Sequence, residues 1–187
     1  MIFSRNHSAI KICIVLIGLL LSMGFFLSAC QFGSKKVEPS PEQTKLLPFT
    51  DTVKQDTFKV ALKGKELKEM RLIFTITNYK GAAIYKEEIL ATTLLKSYLA
   101  SEDLKKESDK IKFLNDEVNF FFEEEHFLVP AVTSSEKPDQ NVPDLNFYNE
   151  LKKNQLNGFS YSLGKDKTIY IAWSEKEQKV KVYYRCC

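Results

Sequence analysis

The chain has 187 residues, 44% of them hydrophobic, with 27 Lys and Arg against 24 Asp and Glu, four cysteines and two histidines. Arg5 and Lys11 are the only charges in the first 29 residues, so 27 − 2 = 25 basic side chains face 24 acids from residue 30 onward, interspersed along the chain. That balance offers no basic footprint for nucleic acid, and the length suits one folded domain.

Residues 1–29 have the three-part build of a secretory signal, with Arg5 and Lys11 ahead of an apolar run from Ile12 to Phe26. At about 15 residues the run is shorter than the roughly 20 that span hydrocarbon, and no basic cluster follows it as a stop. It ends in Leu27-Ser28-Ala29-Cys30. This stretch resembles the lipobox of bacterial lipoproteins. The resemblance implies cleavage before Cys30, a diacylglycerol thioether on its sulfur and an acyl chain on its new amino group. Only Cys supplies the thiolate such a thioether needs, and several acyl chains anchor stably where one is marginal. Gln31, where many inner-membrane lipoproteins carry Asp, implies the outer membrane, and the absence of an acidic run after it implies the periplasmic face.

Gln31 to Thr50 is rich in Pro, Ser, Gln and Lys and reads as a flexible tether, with an end-to-end distance of roughly 25 Å. The folded domain is expected over 51–187. Phe58, Val60 and Leu62 alternate with Thr57, Lys59 and Lys63, and Met70, Leu72, Phe74 and Ile76 follow the same period of two. Asn78 to Gly81 supplies a turn, and a third strand returns near Ala83 to Ile89.

Helical spacing follows. Leu94, Leu95, Tyr98 and Leu99 form one apolar stripe, with an end and restart at Ser101 to Asp103. A long amphipathic helix is expected from about Glu102 to Phe127, presenting Leu104, Ile111, Leu114, Val118, Phe121 and Phe122, with Pro130 stopping it. Thr133 to Val142 reads as a polar loop, and Asp144 as the cap of a short helix through Leu145, Tyr148 and Leu151. A strand from Phe159 to Leu163 leads to a hairpin turning at Glu175-Lys176. That turn pairs Ile171 with Val180 and Ile169 with Val182 on one face, and Tyr170 with Lys181 and Thr168 with Tyr183 on the other. The fold class is therefore α+β: a single antiparallel sheet of about five to seven strands covered by one long helix and one or two short ones. The meander, helix and hairpin order, with the terminal Tyr183-Tyr184-Arg185-Cys186-Cys187, is similar to uncharacterised lipoproteins of Bacteroidetes. That resemblance implies a cell-envelope setting and no particular activity.

Little catalytic chemistry is visible. His7 leaves with the signal, so His126 is the sole imidazole and no multi-histidine metal site can form. Glu123 and His126 stand at the i, i+3 spacing of helical di-iron sites, but such sites need that pair twice. There is no Gly-x-Ser-x-Gly elbow, and Gly64, Gly81, Gly158 and Gly164 fall at expected turns instead of forming a phosphate loop. No catalytic residue, metal ligand or cofactor is assigned. With Cys13 removed and Cys30 acylated, Cys186 and Cys187 remain. Adjacent Cα atoms lie about 3.8 Å apart, below the roughly 4.4–6.8 Å of ordinary disulfides, which favours free thiols over a redox or intermolecular pair.

Recognition falls to aromatic and basic side chains. Trp173 shares the parity of Ile169 and Ile171 and is expected in the core. Tyr170, Tyr183 and Lys181 lie on the opposite face and are the binding candidates, suited to an envelope protein or an acidic glycan if solvent reaches them. Two functions stay open: a noncatalytic, lipid-anchored binding or scaffolding module, and a lipid-anchored hydrolase using carboxylates on an envelope or glycan substrate.

Overall fold

The computed structural model describes residues 41–98 and 104–186, all within one compact unit. The signal segment, Cys30, residues 31–40, Leu99, Ser101 to Asp103 and Cys187 lie outside the described residues. In chain order the elements are β1 (Glu42–Pro48), β2 (Gln55–Lys63), β3 (Arg71–Thr77), β4 (Ala83–Leu90), α1 (Ala91–Tyr98), α2 (Glu107–Phe120), a 3-10 turn (Glu124–His126), β5 (Phe127–Leu128), α3 (Leu145–Asn154), β6 (Gly158–Ser162), β7 (Thr168–Ser174) and β8 (Lys179–Cys186).

The α+β class and the antiparallel pairing stand, but there are two sheets in place of one. Strands β1-β2-β3-β4 form the first and β5-β6-β7-β8 the second, each a four-stranded meander. Period-two alternation reports which face is buried and is blind to where a sheet stops, so it cannot separate one eight-stranded sheet from two of four. The expected boundary at residue 51 also moves: Glu42–Pro48, assigned to the tether, pairs antiparallel with β2, and Phe49 is fully buried. Pro48 is tolerated at the end of this edge strand, where no ladder donor is needed.

The two sheets share one core. From the first come Phe58, Val60, Leu72, Phe74 and Ile76; from the second, Phe159, Tyr161, Ile169, Ile171 and Trp173. Five rings surround Phe58, those of Phe49, Phe74, Phe122, Phe127 and Phe159, with centroids 5.2–6.3 Å away. Burying each ring stabilises by roughly 1.5–3 kcal/mol, and edge-to-face contacts add to that. A hydroxyl contact of 2.7 Å between Tyr85 and Tyr161 ties β4 to β6. Burial pushes the Tyr85 hydroxyl up to about 12 and Tyr161 up as well.

The long helix is shorter than its pattern suggests. Leu114 and Val118 of α2 enter the core, but the helix ends at Phe120, and Phe121 and Phe122 turn into the aromatic cluster from beyond it. The chain then passes through the 3-10 turn into β5, because Phe127 must pair with Phe159. Helical and strand spacing both place apolar residues here, and the sheet contact wins.

Buried Asp56 locks one end of the first sheet. Its carboxylate accepts from the Thr50 backbone N–H at 2.6 Å, the Thr50 hydroxyl at 2.9 Å and the Tyr79 N–H at 2.8 Å, joining the β1–β2 and β3–β4 connections. At the other end, Gly64 turns the chain at φ +118°, and a Cβ there would stand 2.8 Å from the Glu69 carbonyl oxygen.

The hairpin keeps its expected faces and changes its register. Its loop has four residues, Glu175 to Gln178, so Val180 pairs with Trp173 and Val182 with Ile171. Two things hold the longer loop: the Ser174 hydroxyl accepts from the Glu177 N–H at 3.1 Å, and Glu150 accepts from the Lys176 N–H at 3.2 Å. The same register sets Lys181 opposite Ala172, and a bulge beyond Ile171 then shifts the ladder, so Tyr170 faces Tyr184 and Tyr183 becomes the extra residue.

Candidate functional site

The outer face of the second sheet is where the tyrosines gather. α3 starts at Asp144, whose carboxylate accepts from the Asn146 and Phe147 N–H groups at 3.0 and 3.1 Å, the arrangement of a helix N-cap. Phe147, Tyr148 and Leu151 then pack with Ala131, Val132, Ala172 and Tyr183 in a second, smaller core. Beside α3, the loop from Ala131 to Pro143 carries Glu136, Lys137 and Asp139 over the same face.

All three candidate recognition residues lie on this face, but only the two tyrosines join the ring cluster, and Lys181 is engaged by the helix packed beside it. Lys181 binds the cap residue Asp144 at 2.7 Å and also pairs with Glu177, while its ammonium lies 4.8 Å from the Phe147 ring centre. It therefore acts as a clamp between β8 and α3. Asp144 is held below the ordinary carboxylate range, first by its bond to Lys181 and then by the helix N–H groups. Tyr170 and Tyr183 lie together, centroids 6.1 Å apart at 70°, and Tyr184 stands 5.4 Å from Tyr170 at 84°.

These three rings, with Tyr148, Leu128 and Ala131, wall a cavity of about 260 Å³. Glu136, Lys137 and Asp139 complete the lining. The Tyr184 hydroxyl donates to Asp139 at 2.8 Å. Asp139 is held low by the Asn141 N–H and then by Tyr184, so it is ionised at neutral pH. Tyr183 is 3% exposed, and among the described residues its hydroxyl is the one buried side-chain polar atom with no hydrogen-bond partner. Burial pushes its titration upward, and the charge of Glu136 adds to the effect.

Gly158 belongs to this arrangement. It lies in strand β6 and not in the expected turn: a Cβ there would meet both the Ala131 Cβ and the Tyr183 hydroxyl oxygen at 2.9 Å. The missing side chain is the space that the phenol tip occupies.

Two other concavities differ in chemistry. A groove of about 700 Å³ runs between α3 and the β7–β8 loop, lined by Asp144, Glu150, Lys153, Glu175 and Glu177 among others. Its principal charges are consumed in holding the hairpin to α3: Glu150 accepts from the buried Ser174 hydroxyl at 3.0 Å, and Glu177 pairs with Lys179 and Lys181. The third, about 180 Å³, lies at the end of α2 and is lined by Glu117, Glu123, His126, Tyr161 and Ser162 with apolar neighbours. Glu117 is half-buried with no ion pair among the described residues, and desolvation, then the charge of Asp116, pushes its carboxyl upward. Glu123 caps the 3-10 turn that His126 ends, so the two do not share an α-helix, and the His126 Nδ1 lies 3.4 Å from the Ser160 hydroxyl. Among the described residues no three His, Cys, Asp or Glu side chains gather as metal ligands.

Cys186 corrects a sequence expectation: it is disulfide-bonded instead of a free thiol. Its partner lies outside the described residues.

Sequence reasoning missed Tyr148, Tyr184, Glu136 and Asp139. The bulge puts Tyr184 opposite Tyr170, and no local pattern announces it. The sequence places Tyr148 on the capped helix, but which sheet face that helix covers is a tertiary fact. No protein-family model, curated protein or solved structure matches this chain.

Proposed function

We propose that this is a noncatalytic binding module of the bacterial cell envelope, anchored through lipid on Cys30 and recognising a small ligand in its tyrosine pocket. The observation that carries the reading is the Tyr183 hydroxyl, buried without a partner in the wall of an aromatic cavity. A buried unpaired hydroxyl costs about 1–3 kcal/mol, and phenylalanine would fill the same space without that penalty. Rigid tyrosine walls with a few convergent polar groups are the usual make-up of a recognition pocket. The anchor rests on the lipobox sequence, with the outer membrane and its periplasmic face following from Gln31 and the residues after it. β1 begins at Glu42, so the folded unit starts close in sequence to the proposed lipid.

A second reading has one observation in its favour. Glu117, whose carboxyl burial pushes upward in a cavity shared with Glu123 and His126, is the carboxyl best placed for a general acid, which suits the hydrolase alternative. Thermal-shift measurements with envelope glycans, muropeptide fragments and amines, run beside hydrolysis assays on the same compounds, separate the two. The binding module predicts ligand-dependent stabilisation that Tyr170→Ala abolishes, without turnover. Turnover lost in Glu117→Gln contradicts it and selects the hydrolase.

A further inference from the structure

We propose that the tyrosine pocket takes a small organic ammonium group, an inference that rests on the binding reading above. The rings of Tyr170, Tyr183 and Tyr184 meet nearly at right angles, with neighbouring centroids 5.4–6.1 Å apart, so they present walls facing different directions around one corner. Aromatic boxes for quaternary and alkyl ammonium ions are built from such walls, because the negative quadrupole of each ring face attracts the cation. The protein already satisfies this preference elsewhere: Lys54 and Lys80 lie over Tyr79, and Lys181 lies over Phe147. Among the described residues no lysine or arginine lies over any of the four pocket tyrosines.

Charge points the same way. Glu136 and Asp139 line the cavity against a single cation, the exposed Lys137, and leave it net negative. The field of both carboxylates is felt at Tyr148, whose hydroxyl burial and these charges push upward. An acidic glycan would meet repulsion here, and Lys181, the cation on this face suited to one, is already spent on Asp144 and Glu177. Size narrows the choice further. Ligand sites for larger molecules run roughly 300–1,000 Å³, and at about 260 Å³ the cavity holds a headgroup-sized cation in preference to an oligosaccharide.

The test uses the full-length chain in maltoside micelles and reads tyrosine-ring NMR shifts during titration. The probes are choline, ethanolamine, the uncharged choline isostere 3,3-dimethylbutanol, and diacetylchitobiose. Choline is expected to bind at least about tenfold more tightly than its isostere. Tyr170→Phe keeps that preference, Tyr170→Leu loses it, and Asp139→Asn weakens choline binding while leaving the isostere unchanged. Equal binding of choline and isostere overturns the proposal. Binding of the disaccharide alone overturns it too while leaving the pocket a binding site, and no pocket shift with any probe overturns both. Vesicles of phosphatidylethanolamine against phosphatidylglycerol distinguish the source: preference for the former, with weak free ethanolamine, assigns a lipid headgroup, and the reverse assigns a free amine.

Discussion

The Tyr183 hydroxyl and the missing side chain at Gly158 make a quantitative pair. With no partner, the hydroxyl carries a desolvation cost of about 1–3 kcal/mol that Tyr183→Phe removes, so the variant is expected to be more stable by about 1–2 kcal/mol. Gly158→Ala does the opposite: its Cβ would lie 2.9 Å from both the Ala131 Cβ and the Tyr183 hydroxyl oxygen, and overpacking of this kind costs about 1–3 kcal/mol. In the double variant one of the two clashes is gone, so the costs do not add, and the coupling should favour the pair by about 1 kcal/mol. Urea unfolding followed by Trp173 fluorescence gives all four corners of the cycle. For a folded unit of this size 1 kcal/mol corresponds to roughly 3–5 °C in Tm, so calorimetry provides a second measure. Destabilisation by Tyr183→Phe would refute the reasoning, because it would mean the hydroxyl has a partner. Strict additivity would refute the shared-space argument for Gly158.

Three further outcomes are expected. Asp56→Ala strands the Thr50 and Tyr79 N–H groups and should cost at least about 3 kcal/mol in urea unfolding, with wild-type-like stability contradicting the lock described above. The Glu117 carboxyl has a folded-state pKa above its unfolded value, so its charge penalises the fold at neutral pH, and the penalty disappears as pH falls below both values. Glu117→Gln should therefore be more stable than wild type at pH 7 and equal to it near pH 4, and a difference independent of pH would count against burial as the cause. Without reductant, the peptide bearing Cys186 should resist iodoacetamide and become alkylated only after reduction; ready labelling of unreduced protein contradicts the disulfide.

Much of the fold is legible where one local rule governs. Alternation places Phe58, Leu72 and Phe74 inward, and the Asp144 cap and α3 follow from side-chain chemistry at a helix start. The failures come where distant segments decide. Leu46 and Leu47 lie among prolines and lysines, and only pairing with β2 makes that stretch a strand. Phe121 and Phe122 satisfy a helical stripe expected to run to Phe127, but the aromatic cluster claims all three and α2 ends early. Asp56 was readable and overlooked: an Asp at the parity of Phe58 and Val60 points inward and must find donors. The candidate site was half legible. Parity puts Tyr170 and Tyr183 on one face, but the bulge that adds Tyr184, and the loop that brings Asp139, belong to the tertiary structure.

The central claim is that recognition happens on the outer face of the second sheet. The most direct measurement is the position of ligand-induced NMR shifts on the full-length chain for whichever of choline, ethanolamine or diacetylchitobiose saturates. The account predicts shifts concentrated at Tyr148, Tyr170, Tyr183, Tyr184 and Asp139. Shifts concentrated instead at Glu117, Glu123 and His126, with the tyrosines unmoved, would contradict it.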